Sequence, residues 1–422
     1  MKLLFIADGR SPIARNWIRY FIANGSEVHL ISTFDCGRLC GLKTFHVVPV
    51  AFSGIGRPTR KRTWGRDMGR NQGQKDGRNI RQSGWRTSAF TSSKTIGLRT
   101  FIRHWIGPAT VNRSARKVRT LISELKPDLV HAMRIPFEGA IAAASNPEAP
   151  LLVSIWGNDF TLHAPASPMM GSLTKRSLAR TNALHTDNRR DTDLAKKWGF
   201  AGERLQLVLP SNGGVRKEIF YPGDPGQSEH PALTYVLETL APGVPVVVNP
   251  RGFRAYVRND TFFKSIPKLL DRVPSAVFLC PSMAGQRKAE EWIERLQIGD
   301  SVHLLPTLTP SDLAVVFRRA QVSISPSEHD GTPNTLLEAM ACGAYPVAGD
   351  LQSIREWIED GKNGTLVNPA SADQLAEATA QALENAELRD RAGAENIRLV
   401  ETRADYKQGM QKAQAFYEQL LA

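Results

Sequence analysis

The strongest constraint in this sequence is a repeated change of hydrophobic period. Short apolar runs, each followed by an amphipathic stretch, recur along both halves of the chain. Residues 3–7 read as a strand, 14–24 as a helix stopped at Gly25, and 27–32 as a second strand. After an apolar run at 47–50 and a long interruption, the pattern resumes. It has a helix near 113–125, a strand at 129–132, a helix near 138–144 and strands at 151–155 and 183–186. Strands joined by helices run parallel, because a parallel pair needs a crossover, and a parallel sheet must be covered on both faces. Pro and Gly cluster from Pro222 to Gly243, and the alternation then restarts with strands at 244–248, 276–279, 302–305, 322–325 and 345–348. The expected architecture is α/β, with two Rossmann-like parallel-sheet domains. The reading divides the chain into domains over 1–225 and 226–402 and an amphipathic helix over 403–422, which is able to pack on either domain.

With 422 residues, each domain can bury its own core. The formal net charge of +13 is local. Residues 57–119 hold 17 of the 54 Lys and Arg but only two of the 41 acids, Asp67 and Asp76. The rest of the chain is left with 37 bases and 39 acids. The basic stretch is rich in Gly, Arg, Ser and Thr and lacks a sustained apolar period, so residues 57–107 read as a flexible insert in the first domain. Cys36, Cys40, Cys280 and Cys342 are too few and too scattered for a disulfide scaffold, and the first two lack the second ligand pair a zinc site needs. The five apolar residues before Asp8 are too short for a signal peptide, and no apolar run is long enough to span a membrane. The expected location is cytoplasmic, or peripheral on the inner face of the cell membrane.

Chemistry concentrates in VSISPSEHDGTPNTLLEAMACGAYPVAGD, residues 322–350. The loop 326–331 follows a buried strand at its carboxyl end, where open α/β sheets place ligands. Thr332 and Pro333 read as a helix N-cap and first helical position, leaving the amides of Asn334 and Thr335 to face a phosphate. Glu338, four residues after Asn334, stacks beside it among apolar neighbours. A buried carboxylate there needs a partner, either hydroxyl donors such as a ribose or a neighbouring base.

This stretch resembles the donor-binding domain of the family 4, or group 1, glycosyltransferases of the GT-B fold. The likeness extends through DGKNGTLVNPASADQLAEA and upstream through VHLLPTLTPSDLAVVFRRAQVSISPS, over roughly 230–400. It implies two domains facing a central cleft and a nucleotide-sugar donor held by Glu338 at the ribose, with Gly331, Asn334 and Thr335 around it. The first acid of the family element contacts the transferred sugar. Asp330 has the right seven-residue spacing, one methylene shorter than the usual Glu, and Glu328 is the other candidate. In VVVNPRGFRAYVRNDTFFKS, Arg251 and Arg258 fit the two bases that neutralise the donor diphosphate, with Arg254 a competitor. In the first half, DLVHAMRIPFEG, LLVSIWGNDF and LVLPSNGGVRKEIFYPG carry a weaker likeness. By it Trp156, Asn158 and Asp159 stand near sugar and acceptor. Asp159 is either catalytic or a helix cap, His131 at a strand end is a cleft residue or a satisfied core histidine, and Arg10 is placed to meet an acceptor.

The implied function is retaining, metal-independent transfer of a sugar from a nucleotide sugar to a saccharide or lipid-linked saccharide, with no cofactor beyond the co-substrate. The alternative is an inactive glycosyltransferase-like module that binds an anionic polymer or membrane surface. Asp191 and Asp193 spell an acid pair that elsewhere holds a divalent cation. At a predicted helix start they read as partners of the helix dipole. In the insert, Trp64, Trp85, Phe90, Phe101 and Trp105 interleave with the bases. That composition suits an anionic membrane surface first, a solvated loop second and nucleic acid least.

Overall fold

The computed structural model describes residues 1–53, 101–254 and 256–422. Seven parallel strands form the first sheet: β1 (Lys2–Ala7), β2 (Glu27–Ser32), β3 (Thr44–Val47), β4 (Leu129–Met133), β5 (Leu151–Ile155), β6 (Ala183–Thr186) and β7 (Leu205–Val208). Their order is β3-β2-β1-β4-β5-β6-β7. The second sheet has six: β8 (Val246–Val248), β9 (Val277–Cys280), β10 (Val302–Leu304), β11 (Val322–Ser325), β12 (Tyr345–Gly349) and β13 (Thr365–Val367). It is ordered β10-β9-β8-β11-β12-β13 and is also parallel throughout. Each order reverses once, between β1 and β4 and between β8 and β11, and ligands of open α/β sheets bind at such switch points.

The central strands are buried end to end, as continuous apolar runs require. The edge strands β3, β7 and β13 escape the sequence reading because they are only partly buried and carry a mixed pattern. The helix Pro12–Ala23 starts two residues ahead of expectation, with Ser11 accepting from the Ala14 amide and Pro12 in the first turn. Most of the basic insert lies outside the described residues. Its end departs from the expectation of a flexible segment up to 107. Residues 101–105 are helical, and a 3-10 turn over Gly107–Thr110 leads into the helix Val111–Leu125.

The chain crosses between domains twice, and the two crossings are hydrogen-bonded to one another. The Val215 amide donates to the Ala404 carbonyl (2.6 Å) and the Tyr406 amide to the Val215 carbonyl (3.0 Å). Gly214 has φ +122°, and a Cβ on it would lie 2.3 Å from the Ala404 oxygen. Val215 and Phe220 already belong to the second core, so the first crossing falls ahead of the break read at 225.

The last helix, Tyr406–Leu421, is capped by Asp405 and packs on the first domain. Met410, Ala413, Phe416 and Tyr417 join the core beneath β1. A buried relay secures it. Trp17 Nε1 donates to the Tyr417 hydroxyl (2.8 Å), which bonds His131 Nδ1. His131 Nε2 bonds Ser154 Oγ (2.7 Å), Ser154 bonds His185 Nδ1 (2.8 Å), and His185 Nε2 meets the Leu209 carbonyl (2.9 Å). The indole can only donate and the carbonyl only accept. With one proton per imidazole, the relay therefore runs in a single direction and both rings are neutral. His131 is thus a core residue bonded at both nitrogens and 1% exposed, which corrects its placement on the acceptor side.

Candidate active site

On the second domain, two loops lace together at the switch point. The loop after β8 carries Arg251, Arg254 and Arg258, and the loop after β11 carries Glu328 and Asp330. The Arg258 amide donates to the Pro326 carbonyl (3.0 Å), the Glu328 amide to the Tyr256 carbonyl (3.0 Å), and Val257 bridges Ser327. Each acid then takes one arginine. Arg251 Nη2 binds Asp330, and its Nη1 lies 3.3 Å from Thr335 Oγ1. Arg258 binds Glu328 and forks onto Asp260 with two 2.8 Å bonds. Arg254 is exposed and donates to the Tyr256 hydroxyl (2.9 Å).

Asp330 is the more enclosed acid, its side chain 14% exposed against 41% for Glu328. Glu338 is half-buried beside them. Burial raises its pKa to about 7, opposed by the charge of Arg251, and no described residue hydrogen-bonds its carboxylate. Arg251, Arg258, Asp330 and Glu338 are therefore gathered at one switch point. The helix differs in detail. It spans Asn334–Ala341 with Pro333 at its cap. Thr332 is not the N-cap. Its hydroxyl donates to the Asp187 carbonyl of the first domain (2.6 Å) and receives the Trp357 indole (3.0 Å).

Several buried polar atoms at this switch point find no partner among the described residues: Arg251 Nε, Asn249 Nδ2, Ser325 Oγ and Ser327 Oγ. Buried polar groups are almost always paired, so four together at the carboxyl ends of β8 and β11 outline a polar ligand's place.

Gly331 meets the first domain. A Cβ on Gly157 would lie 1.8 Å from the Gly331 nitrogen, and a Cβ on Gly331 would lie 2.4 Å from the Asp187 carboxylate. Around this contact Arg190 donates to the Gly157 carbonyl (2.8 Å), to Ser353 Oγ (2.9 Å) and to Asp191. Glu356 accepts the amides of Arg189 and Arg190 (3.0 Å each) at the start of the helix Arg189–Lys197. Asp191 lies in a capping arrangement with Asn188, and Asp193 pairs with Lys196 (3.7 Å), so the two acids do not converge. Burial, together with neighbouring Asp191, pushes the Asp187 pKa well up.

On the first domain a pocket of 330 Å³ opens at the carboxyl ends of β1 and β4. Arg10 and Trp156 line it, as expected. Asp159 does not. It is 2% exposed, and its carboxylate accepts from Arg134 Nε (2.8 Å) and the amides of Trp156 (3.1 Å) and Ile135 (3.3 Å). That leaves it neither a cap of the following turn nor a reachable base, so it is a support for Arg134. Asn158 serves the same end, accepting from Arg134 Nη2 at 2.9 Å. Sequence reasoning missed Arg134, although it follows β4 at its carboxyl end. It also missed Arg103, which sits in the segment read as flexible.

Two family profiles match, together over more than half of the chain: "Glycosyl transferases group 1" at residues 260–398 and "Glycosyl transferase 4-like" at 93–188. A D-inositol 3-phosphate glycosyltransferase of Streptomyces bingchenggensis is 26% identical over 250 residues, 57% of this chain and 51% of that protein. The chain spans about half the length of the curated relatives it matches. Among solved structures, sucrose-phosphate synthase from Thermosynechococcus elongatus has a TM-score of 0.72 at 14% identity, over 100% of this chain and 99% of the other. HepE of Anabaena, in complex with UDP-glucose, has 0.67 at 15%, also over 100% and 99%. With two parallel-sheet domains closed across a cleft and the acid, base and glutamate set at its second switch point, the chain belongs to the group 1 glycosyltransferases of the GT-B fold.

Proposed function

We propose that the protein transfers a sugar from a nucleotide-sugar donor to a saccharide or lipid-linked saccharide, with retention of anomeric configuration and without a metal ion. The observation that carries this reading is the set of unpartnered buried polar atoms around Arg251, beside Glu338 and Asp330. The ribose hydroxyls donate to Glu338. The diphosphate takes Arg251 Nε and the amides of Asn334 and Thr335, and draws Arg258 from its carboxylates. Two guanidiniums then supply the charge that a divalent cation supplies in other transferases. The bond from the anomeric carbon to the diphosphate oxygen breaks with its electron pair leaving on the diphosphate. The acceptor hydroxyl oxygen bonds to that carbon from the same face and passes its proton to the departing phosphate. Asp330, held by Arg251, is the acid nearer the sugar. A neighbour solved with UDP-glucose supports trying uridine donors first.

Thermal shift with UDP, GDP and ADP sugars tests the donor site. Stabilisation of the wild type and its loss in Glu338→Ala is the expected result, and no response to any of the three defeats the reading. Among the described residues no helix is long and apolar enough to cross a membrane. The basic insert, whose residues 54–100 lie outside the described ones, is proposed to bring the protein to an anionic membrane surface. Flotation with anionic but not neutral vesicles is expected, and equal binding to both removes the electrostatic argument.

A further inference from the structure

The pocket on the first domain gathers three guanidiniums within 330 Å³, at the lower end of the roughly 300–1,000 Å³ of ordinary ligand sites. Arg10 lies 3.5 Å over the Phe34 ring and forks onto Asp8 through Nε and Nη2 (2.9 and 2.8 Å). Arg103 lies 5.2 Å from the Phe137 ring and 5.8 Å from Phe34. Arg134 lies 5.5 Å from Trp156 and is held by Asp159 and Asn158. Rings against the guanidinium faces leave the in-plane N–H groups for an oxyanion. Among the described residues the Nη1 groups of Arg10 and Arg134 donate to no acceptor, and no carboxylate pairs with Arg103.

The balance of charge favours an anion. Burial lowers the Arg103 pKa, the charges of Glu138 and Asp8 opposing that effect and those of Arg134 and Arg10 adding to it. The one other acid on the wall, Glu138, is buried, accepts from Thr33, and has its pKa raised by burial. His163 is held neutral by burial, its pKa near 2. Trp156 Nε1 is buried without a partner among the described residues and can only donate. Arg134 also has φ +108°, a backbone strain that persists where the surrounding structure enforces it. Trp156 on the pocket wall precedes Gly157, which lies against Gly331 of the second domain, so the pocket adjoins the loop after β11.

We propose that this pocket binds a phosphate group on the acceptor through Arg10, Arg103 and Arg134, and so selects phosphorylated over neutral acceptors. The inference rests on the transferase reading and adds the acceptor's chemical class. The phosphate belongs either to a soluble sugar phosphate or to a lipid-linked phosphate.

Methyl phosphate is the direct probe. Thermal shift of the full chain is expected to show stabilisation of the wild type and of Arg251→Gln, but not of Arg103→Gln or Arg10→Gln. Two separate pocket variants guard against one misfolding. No stabilisation of the wild type, or equal stabilisation of both pocket variants, overturns the proposal. Binding through Arg103 without response to any nucleotide sugar refutes the donor site and leaves the pocket standing. Nucleotide binding without methyl phosphate binding overturns the pocket alone. In transfer assays, hexose monophosphates or short polyprenyl phosphates are expected to exceed their unphosphorylated counterparts by at least about tenfold in kcat/KM, as charge-assisted hydrogen bonds require. Arg103→Gln should abolish that preference. Whichever of the two phosphates is used identifies the source, and equal use of neutral acceptors refutes the selection.

Discussion

Replacing Gly157 by Ala adds one methyl where the two domains touch. The new Cβ would lie 1.8 Å from the Gly331 nitrogen, 2.0 Å from its Cα and 2.6 Å from the Asp330 carbonyl carbon. Non-bonded heavy atoms rest about 3.5 Å apart, so the two loops must separate by roughly 1.5 Å. All three obstructing atoms are backbone, so no rotamer change relieves them. Separation strains the Arg190 bond to Ser353 Oγ and the Thr332 bond to the Asp187 carbonyl, both of which join the domains. A displacement of about 1 Å between reacting groups costs about 100-fold in rate, equivalent to about 2.7 kcal/mol of barrier. Nucleotide affinity should change little, because Arg251 and Glu338 do not touch Gly157. The assay is kcat/KM for transfer beside nucleotide Kd, with Gly37→Ala as control, since a Cβ there meets nothing within 4 Å. Gly157→Ala retaining more than a third of wild-type kcat/KM would refute domain closure as the reason for the contact. A parallel loss of nucleotide binding would instead mean general damage.

The Glu338 carboxyl is protonated below about pH 7 in the free protein. Nucleotide affinity should therefore rise about tenfold from pH 6 to pH 8, a dependence that Glu338→Gln abolishes. Its folded pKa lies above the unfolded value of 4.5, so the ionised group costs stability from about pH 4.5 upward, fully above pH 7. Glu338→Gln should then melt higher than wild type at pH 8, with the gap closing toward pH 4.5. Asp159→Asn strips Arg134 of its buried counter-charge and should lower Tm by several degrees without introducing a new limb in the pH–rate profile; such a limb would return Asp159 to catalysis. Tyr417→Phe leaves the Trp17 N–H and His131 Nδ1 unpaired and should cost about 2–4 kcal/mol in denaturant unfolding with nucleotide Kd unchanged. His185 is depressed to about 4 by burial, below its ordinary 6.5. Stability tied to its neutral form is therefore complete above pH 6.5, and falls by about 1.4 kcal/mol per pH unit toward pH 4. A flat Tm across that window in wild type, but not in His185→Gln, would contradict the relay.

The donor half was legible because its chemistry is local in sequence. Asp330 and Glu338 lie on one loop and the helix after it, and Arg251 and Arg258 on one loop, so the family resemblance assigns each set to one strand end. The pocket of the first domain was legible only through Arg10 and Trp156, because its side chains come from distant segments. Arg10 follows β1, Arg134 follows β4, and Arg103 arrives from a helix at the end of a stretch without apolar period. His131 and Asp159 stay undecided in sequence for a related reason. A polar residue at a strand end looks the same in sequence whether it faces a cleft or is bonded beneath it, and only the partners, Tyr417 and Arg134, distinguish the cases.

By itself, then, the sequence determined two parallel sheets and the central strands that build them, since apolar period acts over short stretches. Tertiary structure decided where the last helix docks, which acid takes which arginine, and that Gly157 lies against Gly331. Those outcomes depend on contacts between residues 70 or more positions apart, and such contacts leave no periodic trace in the chain.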